Sequence, residues 1–355
     1  MSKNNKPAKC SAKDDFSLDD LVDEIMGPFP EAFQRDKNHS PMLFQPSHLK
    51  QSKRLSSEQN SAAFRPFLQE KPYKTLVPIT NQIKELNALK QQFPNFSEVI
   101  AYFQGQIAIC QHAGTSLAVP PINLQGEPGI GKTLFVKALA EALNTEFFDL
   151  HVGGMHAEFE LVGGNSMFSK ATAGALATTL IIKAKTYSPV VLLDEICLLK
   201  NGTNENLYHP LYSILDTEQA RSFRDQFLDI DIDVSNALYI TTTNNLEQVP
   251  AAIRSRVNNF HVTAPSLEQN LVIVPNIFKH LLEQLKLSDR VSNTLPRHSL
   301  FALAERPPRE IKKALHRAVG CALLRAEENI ELCDADFAHI IDLGEHHVSE
   351  HDLLH

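Results

Sequence analysis

Gly126-Glu127-Pro128-Gly129-Ile130-Gly131-Lys132-Thr133 fits the pattern G-x-x-x-x-G-K-[ST] at every fixed position. Glycines at that spacing let backbone N–H groups curl around phosphate oxygens at the positive end of the helix that follows. Lys132 would reach the β- and γ-phosphates of a nucleotide, and the Thr133 hydroxyl would ligate Mg²⁺. That chemistry needs a strand ahead of the loop and a helix behind it. The apolar run Pro121 to Leu124 and the segment Leu134 to Leu143 supply both.

Two further groups complete a hydrolytic set. Val190-Val191-Leu192-Leu193 is followed by Asp194-Glu195, two carboxylates at the end of an apolar strand about 60 residues beyond the loop. Asp194 would hold Mg²⁺ opposite Thr133, and Glu195 would orient and activate the attacking water. Tyr239 to Asn245 reads as another strand ending in hydroxyls and amides. Asn244 is placed there to hold the water beside Glu195, although an Asn-Asn pair also turns a chain. Arg254 and Arg256 sit close to a helix end. Either could stabilise transition-state charge at a neighbouring subunit's γ-phosphate, or serve only in surface ion pairs.

The elements around these groups alternate. Helices are expected from Ile79 to Phe93, Phe96 to Ala113, Ala173 to Tyr187 and Leu207 to Leu215, with strands at Phe147 to Leu150, Val190 to Leu193 and Ala237 to Thr241. Continuous Val/Leu/Ile strands between helices point to an α/β fold, a parallel sheet covered on both faces. After about Pro265 the strands stop, and 266–286, 298–306, 309–326 and 334–342 read as the helices of a small lid. The expected division is 1–74, 75–265, 266–342 and 343–355. The first part is rich in Lys, Ser, Gln and Pro and is read as largely disordered, apart from a short amphipathic stretch at Phe16 to Met26. The last is a His-rich tail whose His347, His351 and His355 recur at i, i+4, i+8; a solvated tail is preferred to a metal site.

Composition narrows the partners. A net charge of −8 over 355 residues gives no global footprint for nucleic acid. No apolar run approaches the ~18 residues of a membrane span, and the polar N-terminus lacks a signal-peptide core. Cys10, Cys110, Cys197, Cys321 and Cys333 are scattered without a C-x-x-C pair, as expected of reduced thiols in a cytoplasmic protein. Cys197, just after Asp194-Glu195-Ile196, is expected to be a half-buried structural thiol.

The ordered set resembles the AAA+ ATPases, and within them the ATPase module of the Lon protease family. The stretch Leu215-Asp216-Thr217-Glu218-Gln219, then Phe223 to Ser235, is similar to the Lon pattern LD-x-EQ…F-x-D-x-x-L…D-x-D-x-S. The likeness continues through the Ile-Thr-Thr-Thr-Asn strand and Val249-Pro250 into Arg254-Ser255-Arg256, covering roughly residues 96 to 342. It implies a P-loop AAA+ domain with a helical lid. It also implies a homo-oligomeric ring, commonly a hexamer, with ATP and Mg²⁺ bound between subunits. By motif Arg256 falls at the arginine-finger position, with Arg254 as competitor. Arg309, in Arg306-Pro307-Pro308-Arg309, falls where a lid arginine touches the γ-phosphate, although Pro307-Pro308 stands where the family has Gly-Val. Phe168 aligns with the aromatic of a substrate-gripping pore loop, without the family's aromatic-apolar-Gly core. Too few residues follow the lid for Lon's peptidase, so no peptidase activity is expected. The expected role is ATP-driven remodelling or unfolding of a protein client. The alternatives are the motor of a two-component protease with a separate peptidase, or a nucleic-acid-associated ATPase.

Overall fold

The computed structural model describes residues 41–51, 58–165, 171–200, 208–325 and 330–338. Five strands form one parallel sheet: β1 (Ile122–Gln125), β2 (Phe147–Leu150), β3 (Val190–Leu193), β6 (Leu238–Thr243) and β7 (Asn258–His261), in the order β2-β3-β6-β1-β7. The intervening β4 (Phe223–Asp225) and β5 (Ile230–Ile232) make a separate antiparallel hairpin. All four residues of β3 are buried, and they alternate between two cores. Val190 and Leu192 join Ile122, Leu124 and the helix that follows the phosphate loop; Val191 and Leu193 join the layer holding the hairpin. Apolar side chains on both faces explain why the strand reads as an unbroken aliphatic run.

One face is covered by α1 (Gln82–Gln92), α2 (Ser97–Ala113) and α3 (Lys132–Ala142). Phe96 stacks on Phe135 with ring centroids 4.1 Å apart, locking the entry to α2 against α3. Gly114, at φ 65°, ends α2, taking the left-handed position that a side chain disfavours. Beyond β7 the chain becomes helical. The helices α4 (Leu267–Leu285), α5 (Arg297–Ala304) and α6 (Pro308–Arg325) enclose their own core around Phe278, Leu303, Ile311 and Leu315. The start of α4 is set by a reciprocal cap between Ser266 and Gln269.

Four expectations need correction. Residues 41–74 are not disordered where described. Helical segments Pro46–Gln51 and Glu58–Gln69 bury Leu49, Phe64 and Phe67, together with Leu43 and Phe44, in the hairpin-side core. Apolar anchors spaced too irregularly for a helical or strand period lay this strap against the hairpin. Phe44 bridges Ile232, and Phe64 packs on Phe227 at 4.8 Å. The helix expected from Ala173 to Tyr187 is shorter, with Ala175–Ala177 running straight into a π-helix over Thr178–Lys183. The β-branched and tightly packed residues there, and the pull of Thr75 on Thr186 and Tyr187, end it early. The expected helix at 334–342 is, in its described part, a 3-10 turn at Asp334–Phe337. Cys197 is buried rather than half-buried. The Phe16–Met26 stretch, Phe168 and the C-terminal histidines lie outside the described residues. Among the described residues no helix is long and apolar enough to cross a membrane.

The Phe223–Ser235 signature turns out to be scaffold. Asp225 is fully buried and accepts N–H groups from Gly174 (2.9 Å), Phe227 (3.0 Å) and Leu228 (2.8 Å). Gly163 is so close that a methyl group there would lie 2.8 Å from an Asp225 carboxylate oxygen. Asp225→Ala should orphan these buried donors and cost about 3 kcal/mol, measured as a loss of stability in urea denaturation.

Candidate functional site

Strand register builds the site. β1 lies beside β6 with Gln125 opposite Thr243, and β6 beside β3 with Thr241 opposite Leu193, so the three carboxyl ends open onto one edge of the sheet. Ligands of open α/β sheets bind at that edge. The phosphate loop leaves β1, Asp194 and Glu195 leave β3, and Asn244 leaves β6. Gly126 is held at the loop's start by its N–H on the Thr243 carbonyl (3.1 Å). Gly129 and Gly131, at φ 87° and 101°, take the left-handed turns that aim the loop at α3.

Lys132 is buried, and its amine donates to the Gly126 carbonyl (2.6 Å), the Glu127 carbonyl (3.0 Å) and Asn244 Oδ1 (3.0 Å). Burial pushes the amine's pKa down from its usual range, against the opposing pull of Asp194, Cys197 and Glu195. It thus stays close to neutral acceptors that a phosphate could replace. Asn244 is therefore in contact with the phosphate-loop lysine, while the next residue does the turning: Asn245 accepts from Glu247 N–H (2.9 Å).

Thr242, which the sequence reading passed over, ties the Asp194 carboxylate to the Glu195 backbone. Its hydroxyl donates to Asp194 Oδ1 and accepts the Glu195 backbone N–H (2.9 Å). Glu195 itself has φ 58°, a conformation rare outside glycine. It leaves the side chain exposed at the rim while Asp194 stays half-buried. The only sequence signal for Thr242 was its place in a run of three buried threonines on a central strand.

The lid closes the other side. Pro128, Gly129, Lys132, Thr133, Asp194, Glu195 and Asn244 share a cleft of about 670 Å³ with residues of α6. Arg309 is among them, and a methyl group on Gly129 would lie 3.2 Å from its Cβ. Lys312, Lys313 and His316 line the same cleft, one and two turns along α6. That i, i+3, i+4, i+7 basic face is legible in the sequence but was not picked out. An adjoining hollow of about 160 Å³ is bounded by Phe93, Leu134, Ala138, Ile273, Ile277 and Pro308. A charged end and an apolar end thus meet at Gly131, Leu134 and Ile277.

Arg254 and Arg256 do not line this cleft. Arg256 Nε lies 3.5 Å from Asp216 Oδ2, one terminal nitrogen donates to the Ala252 carbonyl (2.8 Å), and the guanidinium sits 5.6 Å from the Tyr212 ring centre. Arg254 is exposed and makes no ion pair among the described residues.

Fold and site define a P-loop ATPase domain, and residues 122–264 match the family model described as "ATPase family associated with various cellular activities (AAA)". The chain is also similar to Lon proteases. The chain is 32% identical to the Lon protease of Finegoldia magna over 214 residues, covering 59% of this chain and 27% of that protein. It is 34% identical to Lon protease 2 of Bdellovibrio bacteriovorus over 169 residues, covering 48% of this chain and 21% of that one. The mitochondrial Lon protease homolog of Caenorhabditis elegans matches at 34% over 182 residues, 49% of this chain and 19% of that one. The chain thus spans about a quarter of the length of these relatives or less. Among solved structures, a mutant RuvB of Thermotoga maritima aligns with TM-score 0.46 and 15% identity over 70% of this chain and 69% of that one.

The site yields two expectations. Lys132→Ala should abolish nucleotide binding in a fluorescent-ADP titration. Thr242→Val should keep nucleotide affinity but lower turnover by about tenfold to a hundredfold, the usual cost of losing a group that orients a metal ligand.

Proposed function

We propose that the protein binds ATP with Mg²⁺ in the cleft between sheet and lid and hydrolyses it to drive rearrangement of a protein client. The observation that carries this reading is the meeting of Lys132, Thr133, Asp194, Glu195, Asn244 and Arg309 on one cleft, from four separate parts of the chain. In it, the N–H groups from Gly129 to Thr133 and the Lys132 amine receive the phosphates, and Arg309 meets the terminal phosphate from the lid. Thr133 and Asp194 would hold Mg²⁺, which supplies charge neutralisation as the terminal phosphoryl group is transferred. Both are oxygen donors of the kind this ion prefers, and Thr242 fixes the Asp194 carboxylate. Glu195 accepts the proton of the attacking water, and Asn244 orients that water. The base would occupy the apolar hollow beside Phe93 and Ile277.

The similarity to Lon supports protein as the client class and a homo-oligomeric ring, most simply a hexamer, as the assembly. Phe168 would touch the client in the ring's pore. A separate peptidase could complete the machine; the net charge of −8 disfavours nucleic acid as partner. A cross-subunit role for the Arg254–Arg256 segment fits its place outside the chain's own cleft. Arg256 is the motif-matched finger. The geometry favours a second reading, Arg254, because Asp216 already balances Arg256.

Two measurements decide these roles. ATP turnover and mass photometry on wild type and Glu195→Gln should show turnover in wild type alone and nucleotide-dependent rings in both; a monomer without turnover would refute the motor. Arg256→Ala and Arg254→Ala should each be mixed with Lys132→Ala. The mixture that regains turnover identifies the finger, because the intact site then borrows its arginine from the neighbour.

A further inference from the structure

The carboxyl end of β2 brings a second set of metal-binding side chains to Asp194. Parallel pairing sets Asp149 opposite Leu192 and Leu150 opposite Leu193, so the residues after β2 run beside Asp194. Gly153 N–H donates to the Asp194 carbonyl (3.2 Å). A methyl group on Gly153 would lie 3.0 Å from the Glu195 carbonyl oxygen, so the two segments are in close contact. His151 Nδ1 lies 3.0 Å from Asp149 Oδ1. One ligand atom each from Asp149, His151 and Asp194 lies within 4.8 Å of the others. Three ligands at about 2.1 Å from one divalent ion stand about 3 to 4 Å apart, so slight side-chain rotation closes the set.

The geometry points to a divalent transition-metal site formed by Asp149, His151 and Asp194, which shares Asp194 with the nucleotide's Mg²⁺ but is otherwise built from different residues. One imidazole and two carboxylates suit Mn²⁺ or Zn²⁺ better than Mg²⁺, which favours oxygen donors throughout. His151 is exposed, so water can complete the coordination shell. Because Asp194 cannot serve both ions in the same way, occupation here would compete with nucleotide-bound Mg²⁺.

Mn²⁺ is the right probe for the full chain, since carboxylate-rich sites hold it better than histidine-rich segments do. Electron paramagnetic resonance titration without nucleotide should reveal one bound Mn²⁺ per chain, with nitrogen coupling from an imidazole. Asp149→Asn and His151→Ala, checked for unchanged melting, should each weaken it by about tenfold or more and His151→Ala should erase the nitrogen signal. Thr133→Ala should leave it intact. No bound Mn²⁺, or equal affinity in the Asp149 and His151 variants, would overturn the site. The reading of ATP chemistry would stand in that case, because no nucleotide enters the assay.

Discussion

Hydrogen bonding between β1, β6 and β3 is the constraint on which the rest of the structure depends. It sets three strand ends side by side, and each contributes a different chemical group: phosphate-loop amides and Lys132, the Asn244 amide, and the Asp194 and Glu195 carboxylates. A one-residue slip in parallel register would turn Thr242 away from Asp194 and exchange the two buried faces of β6. Aliphatic side chains on both faces of β3, shared between two cores, oppose that slip. Packing energy far from the cleft thus holds the polar groups in their places.

The second organising element is the contact between loop and lid. Gly129 can adopt its left-handed turn, and it also leaves room for Arg309. Pro308 begins α6, a position where proline loses no hydrogen bond. The prolines that stand in place of the family's Gly-Val therefore leave the arginine facing the cleft. A basic helix face then continues past Arg309 through Lys312, Lys313 and His316, and would draw the lid toward a polyphosphate.

Much of this was legible in the residues because it depends on short-range patterns. The phosphate loop, the strand ending in Asp194-Glu195 and the lid helices each carry their period or spacing locally, and the alternation of elements gave the parallel sheet. The hairpin signature was also recognisable, but its physical meaning was not: besides the N–H groups of its own turn, Asp225 takes the buried Gly174 N–H of another segment, a contact that no local pattern reveals. Thr242 escaped for the same reason, since its role arises only once β6 lies beside β3. Polar composition misled the reading of residues 41–74, where a few aromatic anchors outweigh many solvated side chains. Arg254 and Arg256 are told apart by their surroundings and not by their spacing.

The strap also bears on where the folding unit starts. Leu43 accepts the Asp233 N–H (2.7 Å), its own N–H reaches the Pro72 carbonyl (2.8 Å), and Lys74 donates to the Ile181 carbonyl (2.5 Å). The segment is thus stitched at both ends to the hairpin and the π-helix, with Phe64 fully buried between. A fragment cut at residue 75, where the motif-bearing sequence begins, would uncover Phe227 and an apolar seam beside it. Such a fragment would be prone to self-association, and rings seen with it could reflect the exposed seam instead of the nucleotide.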